Sequence, residues 1–567
     1  MSSLFGSLNV ARSALFANQL VLQTTANNVA NSGRSDYSRQ RVDLVASLPE
    51  TLPVGQVGTG VTVAGIRRLR DQFLDQQFIR AEQSLGEYEA EQATLNQIEA
   101  LLGEPSDEGL QASLSRFFTA VTDVASYPQD YTTRRAALEQ AETLAGDLRR
   151  VSSGLTDLKR NLESEIRGKV GDINELLQEI GRLNGQIQTV VVAGGSPNDL
   201  LDRRDQAVDG VAKLVSVSRL DRPDGTLVLS LTGGGGVLVD GTTVATLGAQ
   251  LSAASDDYYL TLGGTAVSVT GGEMAGLLHS RNDADGYVKY AQDRLDTLAA
   301  TLIEQTNRIQ SAGAAAAGLR TAASQYAVSD PAAPLVSAGL PVGVTVPGTV
   351  TVFTYDTSTG AVAGSATITV TAATTLNDLA AQFAGAGLSA SVSGGTLSLA
   401  AAAGQSFRFA RDTGNLLPAL GINAFFTGTN ASTIAVSAAL RADPNLLVVG
   451  YPDPTTGVVA AGDNRAALAM AGLSEQKVLG GGSASLTDYY AETIGVLGAR
   501  TATANRLVET QTLVTRTIQN QREQVSGVSL DEEMIELTKA QRAFEASAKL
   551  VVVVDELLDT VVNGLKR

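Results

Sequence analysis

A chain of 567 residues is too long for one ordinary hydrophobic core, and a hydrophobic content of 44% is enough to fill several, so a multidomain globular protein is expected. The 42 basic residues against 59 acidic ones leave a net charge of −17, which repels nucleic acid and acidic membranes, and no concentrated basic patch offsets it. Cysteine and tryptophan are absent and His279 is the single histidine, which excludes disulfide frameworks, thiol nucleophiles, histidine or thiolate metal clusters and tryptophan stacking platforms by count alone.

Asn9, Arg12, Asn18 and Gln19 interrupt the first residues, so no secretory signal peptide is expected there, and no window is apolar for the roughly 18 residues that a membrane span needs. Leu4, Leu8, Ala11, Leu15, Leu22 and Val29 recur at threes and fours, with Asn18 and Thr25 filling the missing steps. That spacing predicts one amphipathic helix ending near Asn27, Asn28 and Asn31, ahead of Gly33. Residues 37–45 and 57–66 lack helical period and read as strands and turns. Helix returns at Asp71 and stops before Gly103 and Pro105.

The longest periodic run passes through Leu148, Leu155, Leu162, Ile166, Ile173, Leu176, Ile180 and Ile187 to Val190, a rod-like helix with a break in spacing near Ile166 and Ile173. A short helix follows with Asn198 as its cap, and then alternation with turns at Asp224-Gly225 and Asp240-Gly241, a small β domain. One helix is expected from about Gly272 to Ile309. From Thr321 to Leu440 charge nearly vanishes, leaving Asp330, Asp356, Asp378, Arg408, Arg411 and Asp412 in a Thr-, Ser-, Gly- and Ala-rich segment that reads as a second β-rich domain. Helix dominates again from Leu486 to Val525. A final heptad runs Leu530, Met534, Leu537, Gln541, Phe544, Ala548, Val551, Asp555, Leu558, Val562 and Leu565. Each terminal helix has one apolar seam and nothing in its own segment to bury it against, so the two seams should pair with each other or with neighbouring copies.

Three groups of residues carry a resemblance. Ala26-Asn27-Asn28-Val29-Ala30-Asn31 followed by Tyr37-Ser38-Arg39-Gln40, then Gly58-Thr59-Gly60-Val61 with Ile66-Arg67-Arg68, and at the other end Ser526-Gly527-Val528-Ser529-Leu530-Asp531-Glu532-Glu533-Met534 with Gln541-Arg542-Ala543-Phe544, resemble the signatures shared by flagellar rod, hook and first hook-associated proteins. Asp36 stands where that family commonly has glycine. The internal stretches Asn198-Asp199-Leu200-Leu201-Asp202-Arg203-Arg204-Asp205, Leu420 to Gly428 and Gly462-Asp463-Asn464 are similar to first hook-associated proteins specifically. That family's Asn-x-x-His-Ala-x-Gly pattern is altered, since Asn307 is followed by Gln310 and Gly313.

Other candidates fail on geometry. Asp283, Asp285 and Gly286 would give a calcium loop Arg281 as first ligand and Gln292 as last. Gly58 and Gly60 do not open a helix, so a phosphate would lack its N-terminus, and glycines 233–236 lack the Lys-Ser or Lys-Thr of a phosphate loop. His279 reads as a packed or capping residue. Asp199, Asp202 and Asp205 read as a helix turn salt-bridged to the adjacent Arg203 and Arg204. The acids 531–533 read as a solvated first turn capped by Ser529.

The resemblance implies a mixed α and β multidomain fold. Residues 1–45 and 528–567 would form a discontinuous terminal coiled-coil core; 46–195, 273–320 and 441–527 a helical rod domain; 196–272 a small β-rich domain; and 321–440 an outer β-rich domain. It implies a non-enzymatic structural subunit at the hook-filament junction, cytoplasmic before type III export and extracellular afterwards. Its partners would be like subunits in a ring or tube, hook protein below, the next junction protein above and an export chaperone on the C-terminal helix. No cofactor, metal, nucleic acid or membrane insertion is implied. The expected assembly residues are Leu8, Leu15, Leu22, Asn27, Asn28, Asn31, Tyr37, Arg39, Gln40, Leu530, Met534, Leu537, Gln541, Phe544, Ala548, Val551 and Leu558. Asn18, Gln541 and Asp555 are expected to set register as polar residues within the seam. Isolated helices of this length are marginal in water, so the ends are expected to order on assembly. A hook or rod subunit, and a surface- or glycan-binding protein acting through 321–440, are the alternatives.

Overall fold

The computed structural model describes residues 2–34, 36–52, 55–282 and 286–564. Its helices in chain order are α1 (Ser2–Ala30), α2 (Gln72–Leu102), α3 (Leu110–Ser126), α4 (Tyr131–Val192), α5 (Asn198–Leu214), α6 (Glu273–Asn282) and α7 (Tyr287–Ala312). These are followed by α8 (Leu376–Gly385), α9 (Leu416–Leu420), α10 (Ala438–Ala442), α11 (Arg465–Ala471), α12 (Leu486–Ser526) and α13 (Leu530–Gly564). The chain divides into two compact units: Met1–Ala93, Leu162–Asp283 and Ala502–Arg567 form one, and Thr94–Asn161 and Ala284–Thr501 the other. The mixed α and β multidomain class is the one observed.

In the first unit, α1 leads into an antiparallel hairpin whose strands Gln40–Ala46 and Val61–Arg68 pair Gln40 with Arg68 and Ala46 with Val61. The second half of α4 buries Ile166, Val170, Ile173, Leu177, Ile180 and Ile187. The expected break leaves the helix continuous and moves burial from Leu176 to Leu177, because steps of four then three return the stripe to the same face of a 3.6-residue helix. Two small antiparallel sheets, one of four strands within 217–244 and one of three within 247–267, pack on α4. Asn174 Nδ2 donates to the Leu247 carbonyl at 2.8 Å and Asn184 Nδ2 to that of Gly241 at 2.8 Å. Gly225 (φ 85°) and Gly241 (φ 58°) make the two expected turns in the left-handed region.

Several expectations are corrected here. Asn198 is not a cap: it is the first residue of α5, and its amide donates to Gln40 Oε1 and to the Ile66 carbonyl on the hairpin. The single helix expected from Gly272 to Ile309 is two, α6 and α7, because Gly286 is extended (φ −61°, ψ 145°) before α7 starts. Asp283 and Asp285 of the rejected calcium loop lie outside the described residues. Arg281, its would-be first ligand, is fully buried and donates to Glu163 Oε1 at 2.5 Å. His279 sits partly exposed in the last turn of α6, 3.9 Å from Glu91 Oε1.

In the second unit, strands Gly348–Asp356, Val362–Val370 and Gln405–Asp412 form one antiparallel sheet, and Thr321–Ala323, Ser389–Ser393 and Thr396–Ala400 another. Val350, Val352, Ile368, Leu379, Phe383, Phe407 and Phe409 fill the core of which α8 is part. Thr375 and Asp378 close a reciprocal capping box at the start of α8. Asn307 on α7 donates to the Phe426 carbonyl and accepts the Phe425 and Phe426 N–H groups at 2.7 and 2.9 Å. Gln310, buried where the family pattern has histidine, donates to the Leu446 carbonyl and accepts the Val448 N–H. An amide supplies the donor and acceptor that a neutral imidazole also carries.

Candidate functional site

The expected pairing of the chain ends occurs within one chain. Asn28, near the C-terminal end of α1, donates through Nδ2 to Glu533 Oε2 in the first turn of α13 at 2.9 Å. Farther along, Asn18, Val21, Thr24 and Thr25 border a groove of about 480 Å³ opposite Glu536, Lys539, Ala540 and Ala543. Residue numbers fall on one helix as they rise on the other, so the pair is antiparallel.

The contact buries two alanines of α1 and one alanine and one valine of α13 most deeply, and leaves several apolar residues of both helices outside. Ala11 and Ala17 on α1 and Ala540 and Val554 on α13 are buried, whereas Phe5, Phe16, Met534, Ile535, Val553 and Val562 are exposed. Small residues let two helix backbones approach closely. Of the expected seam residues, Leu8, Leu15, Leu22, Leu537, Phe544, Ala548, Val551 and Leu558 are half-buried, and Leu530, Met534 and Gln541 are exposed.

The intrachain seam therefore runs Glu533, Leu537, Ala540, Phe544, Ser547, Val551, Val554 and Leu558. This seam shares the column of Leu537, Phe544, Val551 and Leu558 with the expected heptad, whose other column falls one residue later, which puts Gln541 and Asp555 on the outward face; Leu565 lies outside the described residues. The apolar stripe on α13 is wider than one seam, and the side bearing Ala540 and Ser547 admits the closer approach.

The polar residues of the terminal signatures converge at the head of this pair. Asn28, 2% exposed, uses its full hydrogen-bonding capacity. Its Oδ1 accepts from the Tyr37 hydroxyl (2.8 Å) and the Gln40 N–H (3.0 Å), and its Nδ2 donates to the Gln40 carbonyl and to Glu533. Asn27, exposed, donates to the Tyr37 hydroxyl and receives the Asn31 amide on its carbonyl oxygens. Arg39 donates from Nε to Glu533 Oε1 and from Nη1 to Glu532 Oε2, both at 2.6 Å, and its backbone N–H reaches the Ser526 carbonyl at 2.7 Å. Glu533 is thus a buried, doubly bonded carboxylate and not part of a solvated first turn. Gln40 reaches Asp199 Oδ1.

From there an ion-pair network enters the body of the unit. Ser38 donates its N–H and hydroxyl to Asp202, Arg68 bridges Asp202 (2.5 Å) and Asp205 (2.8 Å), and Arg219 reaches Asp205 at 2.7 Å. Arg70 and Arg522 both bond Asp75, and Arg522 also meets Asp209 at 3.2 Å. Asp202, Asp205 and Asp209 of α5 therefore pair with distant arginines, not with the adjacent Arg203 and Arg204. Arg204 is buried and turns instead to Asn184, the Gly225 carbonyl and Asp221. Burial alone would raise the Asp205 carboxyl, but Arg219, Arg68 and Arg70 hold it well below the usual range. Burial pushes Asp209 up to about 6 against the pull of Arg522 and Arg70. Burial, with Asp199 and Asp202 nearby, keeps the Tyr37 phenol protonated and able to donate to Asn28.

The expected residue set included Asn28, Tyr37, Arg39 and Gln40 but not Glu533, Ser38, Arg68, Asp202, Asp205 or Arg522. A signal for Glu533 existed: it stands seven residues before Ala540 and so in phase with the buried column. Among the described residues no group of acids and histidine could hold a metal ion.

Comparison with known proteins reaches both ends and the middle of this site. The family described as "Flagellar hook-associated protein FlgK helical domain" matches residues 95–324, and "Flagellar basal body rod FlgEFG protein C-terminal" matches residues 519–565. Flagellar hook-associated protein 1 of Bacillus subtilis (strain 168) is 29% identical over 100% of this chain and 99% of its own length. The chain is similar to the flagellar hook-associated protein 1 (FlgK) family over its whole length. The FlgK relative of Escherichia coli (strain K12) is 28% identical over 99% of this chain and all of its own. The fold agrees with a solved structure titled "The structure of the flagellar hook junction protein FlgK from Burkholderia pseudomallei", with a TM-score of 0.53 at 18% identity, covering 79% of this chain and 100% of that one. The match across 95–324 lies in the internal region and so sets this chain apart from rod and hook proteins, with which it shares its terminal signatures.

Proposed function

We propose that this chain is the structural subunit joining hook to filament in the bacterial flagellum, and that it assembles through the outward face of the α1–α13 pair. The observation that carries the reading is the apolar surface that the pairing leaves uncovered: Phe5, Phe16, Met534, Ile535 and Val553 remain exposed. Apolar residues of this size along one helix pair call for a covering surface. Each one buried between subunits contributes roughly 1.5 to 3 kcal/mol to assembly.

In this reading like subunits form the ring, hook protein lies below and the next junction protein above. The subunit is exported unfolded, which the lack of cysteine favours because no crosslink can form to block passage. Before export a chaperone covers the apolar C-terminal helix, and the 321–440 segment faces outward. The protein acts by joining, not by catalysis. Labelled protein should appear as a band at the hook-filament boundary, and label spread along the filament or confined to the cell body would refute the assignment.

A further inference from the structure

The seam between α1 and α13 offers little to distinguish one alignment from another. Ala540, Ser547 and Val554 repeat every seven residues on α13, and Ala14 and Val21 on α1 are likewise a heptad apart. In that column a slip of seven residues would replace one small residue with another. The end of the seam carries a directly bonded polar pair, because Asn28 and Glu533 are both 2% exposed and bonded to each other. After any slip, one or both would face an apolar partner or lose their partner altogether, and a buried amide or carboxylate left without a hydrogen bond is penalised far more than a made one is rewarded.

Two further contacts tie this pair to the rest of the unit. Arg39 holds the second oxygen of Glu533, and the Arg39 N–H is bonded to the Ser526 carbonyl just before α13. Both oxygens of Glu533 and both N–H groups of Asn28 are therefore committed in this alignment.

We infer that Asn28 and Glu533 are the register-setting pair of the terminal helices, with Arg39 positioning the carboxylate, and that they specify one alignment of α1 on α13 without supplying most of its stability. This corresponds to the use of single buried polar residues in helix pairs that would otherwise slip. The inference goes beyond the junction role and rests only on the pairing within one chain.

The test uses the absence of cysteine. In the purified full-length chain, Val21→Cys with Ala540→Cys reports the observed alignment, since both residues border the same groove. Ala14→Cys with Ala540→Cys reports a slip of one heptad. Disulfide trapping records the alignment in which the helices meet even when the pair is only partly populated.

With Asn28 and Glu533 intact, the first disulfide should dominate. In Asn28→Leu/Glu533→Leu, where Arg39 keeps Glu532 as partner, the slipped-to-native ratio should rise about tenfold or more with helix content retained. In Glu533→Gln the amide oxygen can still accept from Asn28, so the ratio should stay within about threefold of the parent. An unchanged ratio in the double leucine variant overturns the inference. So does loss of helix content in that variant, which would make the pair a source of stability, and so does a Glu533→Gln ratio as high as the double variant's. None of these measurements involves hook or filament, so the register role and the junction role can fail independently.

Discussion

Asn28 Nδ2 lies 2.9 Å from Glu533 Oε2 across 505 positions of sequence, and that hydrogen bond closes the two ends of the chain onto each other. Each partner is a residue type whose other bonds are also filled, so the pair resists substitution for a chemical reason and not a steric one.

Asn28→Asp is the direct consequence. The change removes the two donors facing Gln40 and Glu533 and sets a second carboxylate beside a buried one. Urea denaturation at neutral pH should show a loss of about 3–5 kcal/mol from the unit holding the chain ends, the scale of a broken buried ionic contact. A loss under about 1 kcal/mol would mean that solvent reaches the site and screens it.

Asp205 and Asp209, one turn apart on α5, should shape the pH dependence in opposite senses. The native Asp205 carboxyl is held below its model-compound value of 3.8, so its contribution is complete above that value and is lost as pH falls towards the native one. Asp205→Asn should cost about 3 kcal/mol at pH 7 and progressively less in acid, as followed by urea midpoints from pH 7 to pH 3.

For Asp209 the native value of about 6 exceeds the ordinary 3.8, so the folded chain holds the proton more tightly across that window. Its contribution is highest below the lower value and falls as pH rises through the upper one. Asp209→Asn should remove this decline, raising stability at pH 7 relative to the parent by about 1–2 kcal/mol after allowing for the quarter of the side chain that reaches solvent. A parent stability curve that rises between pH 4 and 6, with no change in slope in the variant, would contradict the assignment.

Met534→Asp and Ile535→Asp separate folding from assembly. Both residues are exposed on α13, so each variant should match the parent chain's stability to within about 0.5 kcal/mol. Incorporation at the hook-filament boundary should nevertheless fall by about tenfold or more, since a carboxylate would be buried there without a partner. Normal incorporation of both variants would remove the outward face of α13 from the interface.

Gln310→His should be tolerated to within about 1 kcal/mol, since a neutral imidazole can donate to the Leu446 carbonyl and accept the Val448 N–H as the amide does. Gln310→Leu, of similar bulk, leaves both backbone groups unpaired and should cost about 2–3 kcal/mol in urea denaturation.

Local patterns carried much of the architecture. The period of α1, α4 and α13, the turns at Gly225 and Gly241, and the loss of charge after Thr321 each depend on neighbours within a few residues, so they are written in consecutive positions. The terminal signatures pointed to the family, and Asn28, Tyr37, Arg39 and Gln40 stood within them. Short-range inspection failed where one local reading had two tertiary outcomes. Asp202 and Asp205 beside Arg203 and Arg204 looked like a self-contained helix turn, yet their partners are Arg68 and Arg219.

The sequence by itself therefore determined the elements, the apolar stripes at both ends and the family, because helical period and signature residues are properties of adjacent positions. Only the tertiary structure decided which side of the α13 stripe faces α1, making Glu533 a buried partner and Gln541 an outward one. The two columns differ by a single step of one residue on the helix, and the choice between them belongs to the second helix: it rests on how closely α1 can approach, a distance that no one segment encodes.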